Sequence, residues 1–168
     1  LNHLALSQDG TLATGGGERV LFLRHPRSNI FQRIEGFESH IRRLAFSADG
    51  SILAVGMDYG HLRVLSRQED GSFQPLHSLR LESSIYSLTF TPEGELLCGT
   101  GGGQIHLVDV RTGVSCHRPE LTVHTRGGIH SLAFTGSTLL VGQWDTSIAE
   151  GTRGRGRLHA MSWPDGEL

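Results

Sequence analysis

Apolar and polar residues alternate in short runs along this chain, and turn residues separate the runs at regular intervals. Leu44-Ala45-Phe46-Ser47, then Ala48-Asp49-Gly50, then Ser51-Ile52-Leu53-Ala54-Val55-Gly56 reads as strand, turn, strand. The same phrase recurs at Leu4–Ala13, Leu88–Leu97 and Leu132–Leu140. Its anchor leucines stand at 4, 44, 88 and 132, so the spacings are 40, 44 and 44. The Asp-Gly doublets turn the chain because glycine tolerates positive φ and aspartate bonds its own backbone.

Each unit can be written as four strands. The first takes Leu4–Ser7, Thr11–Gly15, Arg19–Arg24 and Ile30–Glu35. The second takes Ile41–Ser47, Ser51–Gly56, His61–Leu65 and Phe73–Leu81, with turns at Asp58-Tyr59-Gly60 and Glu69-Asp70-Gly71-Ser72. The third takes Ile85–Thr91, Glu95–Gly99, Gln104–Val110 and Ser115–Val123. In the fourth, Ile129–Thr135 and Thr138–Gly142 are followed by a long polar loop over 145–157 and by the run Leu158–Trp163. That run reads as a third strand, or as the opening of a fifth unit, since it echoes Ile129–Phe134. No helical periodicity of useful length appears. A period near forty built from short strands predicts an all-β chain of four-stranded antiparallel blades, a propeller segment. The blades span about 1–36, 40–81, 84–123 and 128–168.

Composition narrows the classes. With 19% charged and 37% apolar residues the chain can bury a core. Its net charge of −2 is too small to make nucleic acid or an anionic membrane the main partner. All fifteen basic residues are arginine, so lysine nucleophiles and phosphate-loop lysines are excluded. The two cysteines, Cys98 and Cys116, give neither a disulfide framework nor a Cys-x-x-Cys pair. With no signal peptide and no membrane-length apolar run, this predicts an intracellular protein, cytoplasmic rather than nuclear. The chain opens on Leu1, inside a repeat, which reads as a segment of a longer protein.

Candidate chemistry is sparse. Ten histidines are scattered along the chain, at 3, 25, 40, 61, 77, 106, 117, 124, 130 and 159, without metal-ligand spacing. No metal or cofactor is expected. Serines and carboxylates such as Asp9, Asp49, Asp58 and Glu93 fall in turns, where backbone hydrogen bonding accounts for them, and no Gly-x-Ser-x-Gly elbow is present. No catalytic residue is assigned. The glycine runs 15–17 and 101–103 read as turns, because no helix follows them to complete a phosphate site. Gly151–Arg157, with Arg153, Arg155 and Arg157, is an Arg-Gly tract of the kind that contacts RNA. A plain connecting loop is the favoured reading.

The order of these phrases resembles the WD40 repeat: an apolar strand, a Ser-Pro-Asp-Gly-like turn, a Leu-Ala-x-Gly strand, an Asp turn, then a strand ending near Trp-Asp. Phe22-Leu23, Val64-Leu65 and Val108-Asp109 replace the Trp-Asp dipeptide. The literal Trp144-Asp145 sits after a second strand, the Gly-His pair is missing with His124 its nearest echo, and the turn aspartate is matched at Asp58. The resemblance implies a ring of about seven blades, so four leave apolar faces open. Further blades or a partner chain would complete it, with pairing of two such arcs the weaker alternative. It also places Asn2, Arg42, Tyr86 and His130, equivalent in the repeat, near the channel mouth. There they are expected to form a face for protein or peptide partners. The function expected is a non-catalytic interaction scaffold within a larger protein or assembly. The alternatives are a propeller enzyme with its site at the channel mouth, or an RNA-associated propeller using the Arg-Gly loop.

Overall fold

The computed structural model describes residues 1–26, 31–121, 127–145 and 155–163. Its described residues fold into four antiparallel sheets whose strand order follows the chain. The first sheet holds β1 (His3–Leu6), β2 (Leu12–Gly15), β3 (Leu21–Arg24) and β4 (Phe31–Ile34). The second holds β5 (Ile41–Phe46), β6 (Ile52–Met57), β7 (His61–Arg67) and β8 (Phe73–Arg80). The third holds β9 (Ile85–Phe90), β10 (Leu96–Thr100), β11 (Ile105–Asp109) and β12 (Val114–His117). The fourth holds β13 (Gly127–Thr135), β14 (Thr138–Asp145) and β15 (Arg155–Ser162). Up-and-down sheets of four short strands, repeated along the chain, are propeller blades, and the chain is an all-β, WD40-like propeller segment.

In three of its four occurrences the recurring phrase folds by one local device. Gly10, Gly50 and Gly94 donate their N–H groups to the carbonyls of Ser7, Ser47 and Thr91 at 2.9–3.0 Å. The same three hydroxyl residues donate their own N–H groups to Thr11, Ile52 and Glu95 across the turn. In the first two turns an aspartate oxygen accepts from the backbone, Thr11 N–H to Asp9 and Ser51 N–H to Asp49, both 3.0 Å. The turn glycines take φ of 71–90°, where a Cβ is disfavoured.

The chain divides into two compact units, Leu1–Ile85 and Tyr86–Leu168. In the first, Ala13, Leu21 and Leu23 of one sheet and Ile41, Leu44, Leu53, Val55 and Leu65 of the next form one buried cluster. In the second, Leu97, Ile105 and Leu107 pack with Ile129, Leu132, Leu139, Val141 and Met161. Strand alternation makes this pattern: one face of each sheet meets its neighbour, and a one-residue slip would turn every apolar side chain outward.

Three strand readings are corrected. The strand expected from Ser115 ends at His117, because Arg118 makes the last bond, to the carbonyl of Ile105 where β11 begins (3.0 Å), and the Pro119 ring holds φ at about −65°, away from ordinary strand values. A 3-10 turn at Pro119–Leu121 follows, with Leu121 buried. The fourth sheet's strands are longer than expected: the ladder runs from Thr138↔Ser162 to Asp145↔Arg155. Trp144-Asp145 therefore ends the second strand instead of following it, and 155–157 are ladder residues instead of loop. Leu158–Ser162 is bonded to β14 in the fourth sheet, so it does not open a fifth unit. His124 lies outside the described residues.

Candidate functional site

The four positions singled out by the repeat fall in pairs, Asn2 and Arg42 in the first unit, Tyr86 and His130 in the second. Asn2 is a staple. Its N–H donates to the Gly15 carbonyl (2.9 Å) and its Nδ2 donates to the Ile41 carbonyl (3.2 Å), which ties the start of β5 to the first sheet. Asn2 is exposed, so this structural role stands beside the partner contact expected of it. The neighbouring His3 accepts the Leu44 N–H at Nδ1 (3.2 Å). Burial, with Arg43 beside it, pushes that imidazole below its ordinary pKa, which keeps the accepting nitrogen unprotonated.

Arg42 has a different setting. β6 ends at Met57 and the chain turns through Asp58-Tyr59-Gly60. Asp58 is buried, and its carboxylate takes the Arg42 Nε–H and lies 3.4 Å from His40 Nδ1. Its main chain is fixed as well: Asp58 N–H donates to the His40 carbonyl (3.1 Å), and Ser39 Oγ–H donates to the Asp58 carbonyl (2.8 Å). A buried carboxylate that is paired and hydrogen-bonded avoids most of the cost of burial. Gly60 is obligatory, because at φ +80° a Cβ would stand 2.0 Å from the Leu81 carbonyl oxygen. Leu81 N–H donates to the Gly60 carbonyl (2.9 Å) and Ser84 Oγ accepts the Tyr59 N–H (3.0 Å), so the turn is anchored from both ends of that segment.

The result is an aromatic residue held in the left-handed region. Tyr59 has φ 58° and ψ 22°, and 70% of its surface is exposed. Left-handed backbone costs a bulky residue on the order of 1–2 kcal/mol, and an exposed ring gains little burial to offset it. In the sequence Asp58-Tyr59-Gly60 reads only as a turn, and the signal for Tyr59 is its place between a turn aspartate and an obligatory glycine.

In the second unit the Tyr86 and His130 rings stack at a tilt, with centroids 4.9 Å apart and planes at 44°. β9 supplies the tyrosine and β13 the histidine, next to the irregularity between Ile129 and Ser131 in the β13–β14 pairing. Gly128 leaves room for the ring, since a Cβ there would lie 3.1 Å from Tyr86 Cδ2. The pair named from sequence thus forms one aromatic patch. Beside His130 an open groove of about 430 Å³ runs past Gly142, Trp144, Arg157 and Leu158.

The end of the Arg-Gly tract, 155–157, is strand. Arg155 and Arg157 are ladder residues of β15, with Arg157 opposite Gln143, and Arg153 lies outside the described residues. Among the described residues no group of three or more His, Cys, Asp or Glu side chains is placed to hold a metal ion. Among the same residues no helix is long and apolar enough to cross a membrane.

Residues 30–65 match the WD40 family model, described as WD domain, G-beta repeat. That span holds Arg42, Asp58 and Tyr59. Among solved structures, hydrazine synthase of Kuenenia stuttgartiensis is similar over 99% of this chain and 47% of that one, with a TM-score of 0.82 and 14% identity. The chain thus spans about half the length of that protein, and at this identity the likeness is one of fold. Comparison with curated proteins finds no match.

Proposed function

We propose that this chain is a non-catalytic interaction scaffold that binds protein or peptide partners through the turn carrying Tyr59 and through Arg42 of β5, which pairs with that turn's Asp58. The aromatic pair Tyr86–His130 is a second contact patch. One observation carries the reading: an exposed tyrosine held at φ 58° on a turn that a buried aspartate, an arginine, two serines and a glycine keep rigid. Strained, exposed residues on rigid supports are characteristic of binding positions. Tyrosine and arginine are also over-represented among the anchors of protein interfaces. The match of residues 30–65 to the WD40 repeat supports the same class of function.

Stability and binding should respond in opposite senses. Tyr59→Gly removes the left-handed penalty and is expected to stabilise the fold by about 0.5–1 kcal/mol after glycine's own entropy cost. It should also remove partners captured by the wild-type chain from cells of its source, quantified by mass spectrometry. Arg42→Ala and Tyr86→Ala should each weaken capture while the strand signal in circular dichroism stays intact. If all three folded variants captured the wild-type set of partners, this assignment would be abandoned.

A further inference from the structure

Within each unit one sheet covers a face of the other, and among the described residues the outer faces of the first and fourth sheets lack such cover. In the first unit, Leu44 and Phe46 of β5 pack on Ala13, Leu21 and Leu23, and Leu44 is only 3% exposed. In the second unit, Leu132 and Phe134 of β13 pack in the same way on Leu97, Ile105 and Leu107. Leu4 and Leu6 of β1 occupy the same places in the repeat, yet they are 57% and 66% exposed, and Leu1, the counterpart of the buried Ile41 and Ile129, is 84% exposed.

The fourth sheet has the opposite deficiency. Its pairing places Gly142 against Leu158 and Leu140 against Ala160. In the first sheet, Gly15 is against Leu21 and Ala13 against Leu23. Leu158 is therefore the counterpart of Leu21. Leu21 is fully buried beneath β5, and Leu158 is 72% exposed. Gly15 and Gly99 are close-approach sites: a Cβ would come within 2.7 Å of Ile41 Cγ2 at the first and 2.5 Å of Ile129 Cγ2 at the second. Gly142, in the equivalent place, has no such isoleucine against it, and the open groove beside Leu158 lies there.

One bare face thus has the knobs, Leu1, Leu4 and Leu6. The other has the platform that receives knobs elsewhere in the molecule, Gly142, Leu158 and Ala160. We propose that the chain associates head to tail with a second copy of itself, the β1–β4 sheet of one copy packing on the β13–β15 sheet of the other. A second copy is the occupant that carries both halves of the junction, in the register that the first unit already uses between its two sheets. The contact is heterologous, so dimers form if the rotation closes and longer chains form if it does not. Both faces are distinct from the Tyr59 turn that carries the proposed binding role, and the platform borders the groove beside His130.

The test is light scattering on a size-exclusion column over a concentration series of the 168-residue chain. The wild type is expected at multiples of 18.3 kDa, rising with concentration. Leu4→Glu and Leu158→Glu change exposed side chains, and each alone should return the chain to 18.3 kDa. Mixed in equal amounts, the two variants retain one intact knob face and one intact platform and should recover a dimer. Should either variant lose its strand signal, Leu6→Glu or Ala160→Glu, exposed on the same faces, takes its place. A wild type that stays monomeric overturns the proposal and leaves other blades or a different chain as the cover. Association unchanged by both variants, or no recovery on mixing, overturns it equally.

Discussion

Gly15→Ala tests the packing between the first two sheets, because one methyl group there meets one side chain. A Cβ on Gly15 would lie 2.7 Å from Ile41 Cγ2, 3.0 Å from Cδ1 and 3.1 Å from Cβ. Rotating χ1 cannot clear the last of these, since Cβ is fixed to the β5 backbone. Both residues are buried, so the sheets must separate or the strands shift. Overpacking of this kind costs about 1–3 kcal/mol. Alanine in a strand regains about 0.5–1 kcal/mol over glycine, so the net loss should be roughly 1–2 kcal/mol. Ile41→Ala alone leaves a cavity and should cost about 2–5 kcal/mol. In the double variant the new methyl group occupies part of that cavity. Its loss should therefore fall short of the sum of the singles by about 1–3 kcal/mol, far outside the scatter of about 0.5 kcal/mol for independent sites. Urea unfolding of the four chains by far-ultraviolet circular dichroism, with unchanged m values, measures all three terms. A double variant whose loss equals the sum, or a Gly15→Ala chain as stable as wild type, would refute the claimed contact.

Two further outcomes follow from single groups. Burial raises the Asp9 pKa, but hydrogen bonds from Ser7, Thr11 and Arg67 outweigh it and hold the carboxyl well below the usual carboxylate range. Its partners include Thr11 N–H at 3.0 Å and Arg67 Nη1 at 2.6 Å, with His25 Nε2 at 3.7 Å. A depressed folded pKa contributes stability above the unfolded value of about 3.9 and loses it as pH falls toward the folded value. Asp9→Asn should therefore melt lower than wild type at neutral pH, with the gap narrowing near pH ~3; an equal gap at both pH values contradicts this. Of the two free thiols, Cys116 is exposed, whereas Cys98 is buried and burial pushes its pKa up. A disulfide reagent should label one thiol in the folded chain and the second only on unfolding, since the thiolate is the reacting form. Immediate labelling of both would contradict the burial of Cys98.

Local chemistry made the repeating frame legible in the sequence. Alternation of apolar residues and Ser/Thr-x-x-Gly turns specify strands and hairpins within a few residues of each other, and the chain pairs its strands in sequence order. The same local rules located the turn at Asp58-Tyr59-Gly60 and the equivalence of Asn2, Arg42, Tyr86 and His130. They failed where a partner distant in sequence decides the outcome. The strand expected from Ser115 stops at His117, where the pairing with β11 runs out and Pro119 turns the chain. Arg155 and Arg157 read as loop because the segment is rich in glycine, yet pairing with β14 holds them extended. Asn2 and Arg42 look alike in the repeat, but one bonds the Gly15 and Ile41 carbonyls and the other the buried Asp58. Leu4 and Leu44 are the same letter in the same phrase, and only the tertiary structure makes one exposed and the other buried. The physical reason is common to all of these. Sequence period fixes which face a side chain takes, because that depends on its own backbone. Burial, strain and pairing depend on what another segment brings to that face, and this is decided only when the sheets pack.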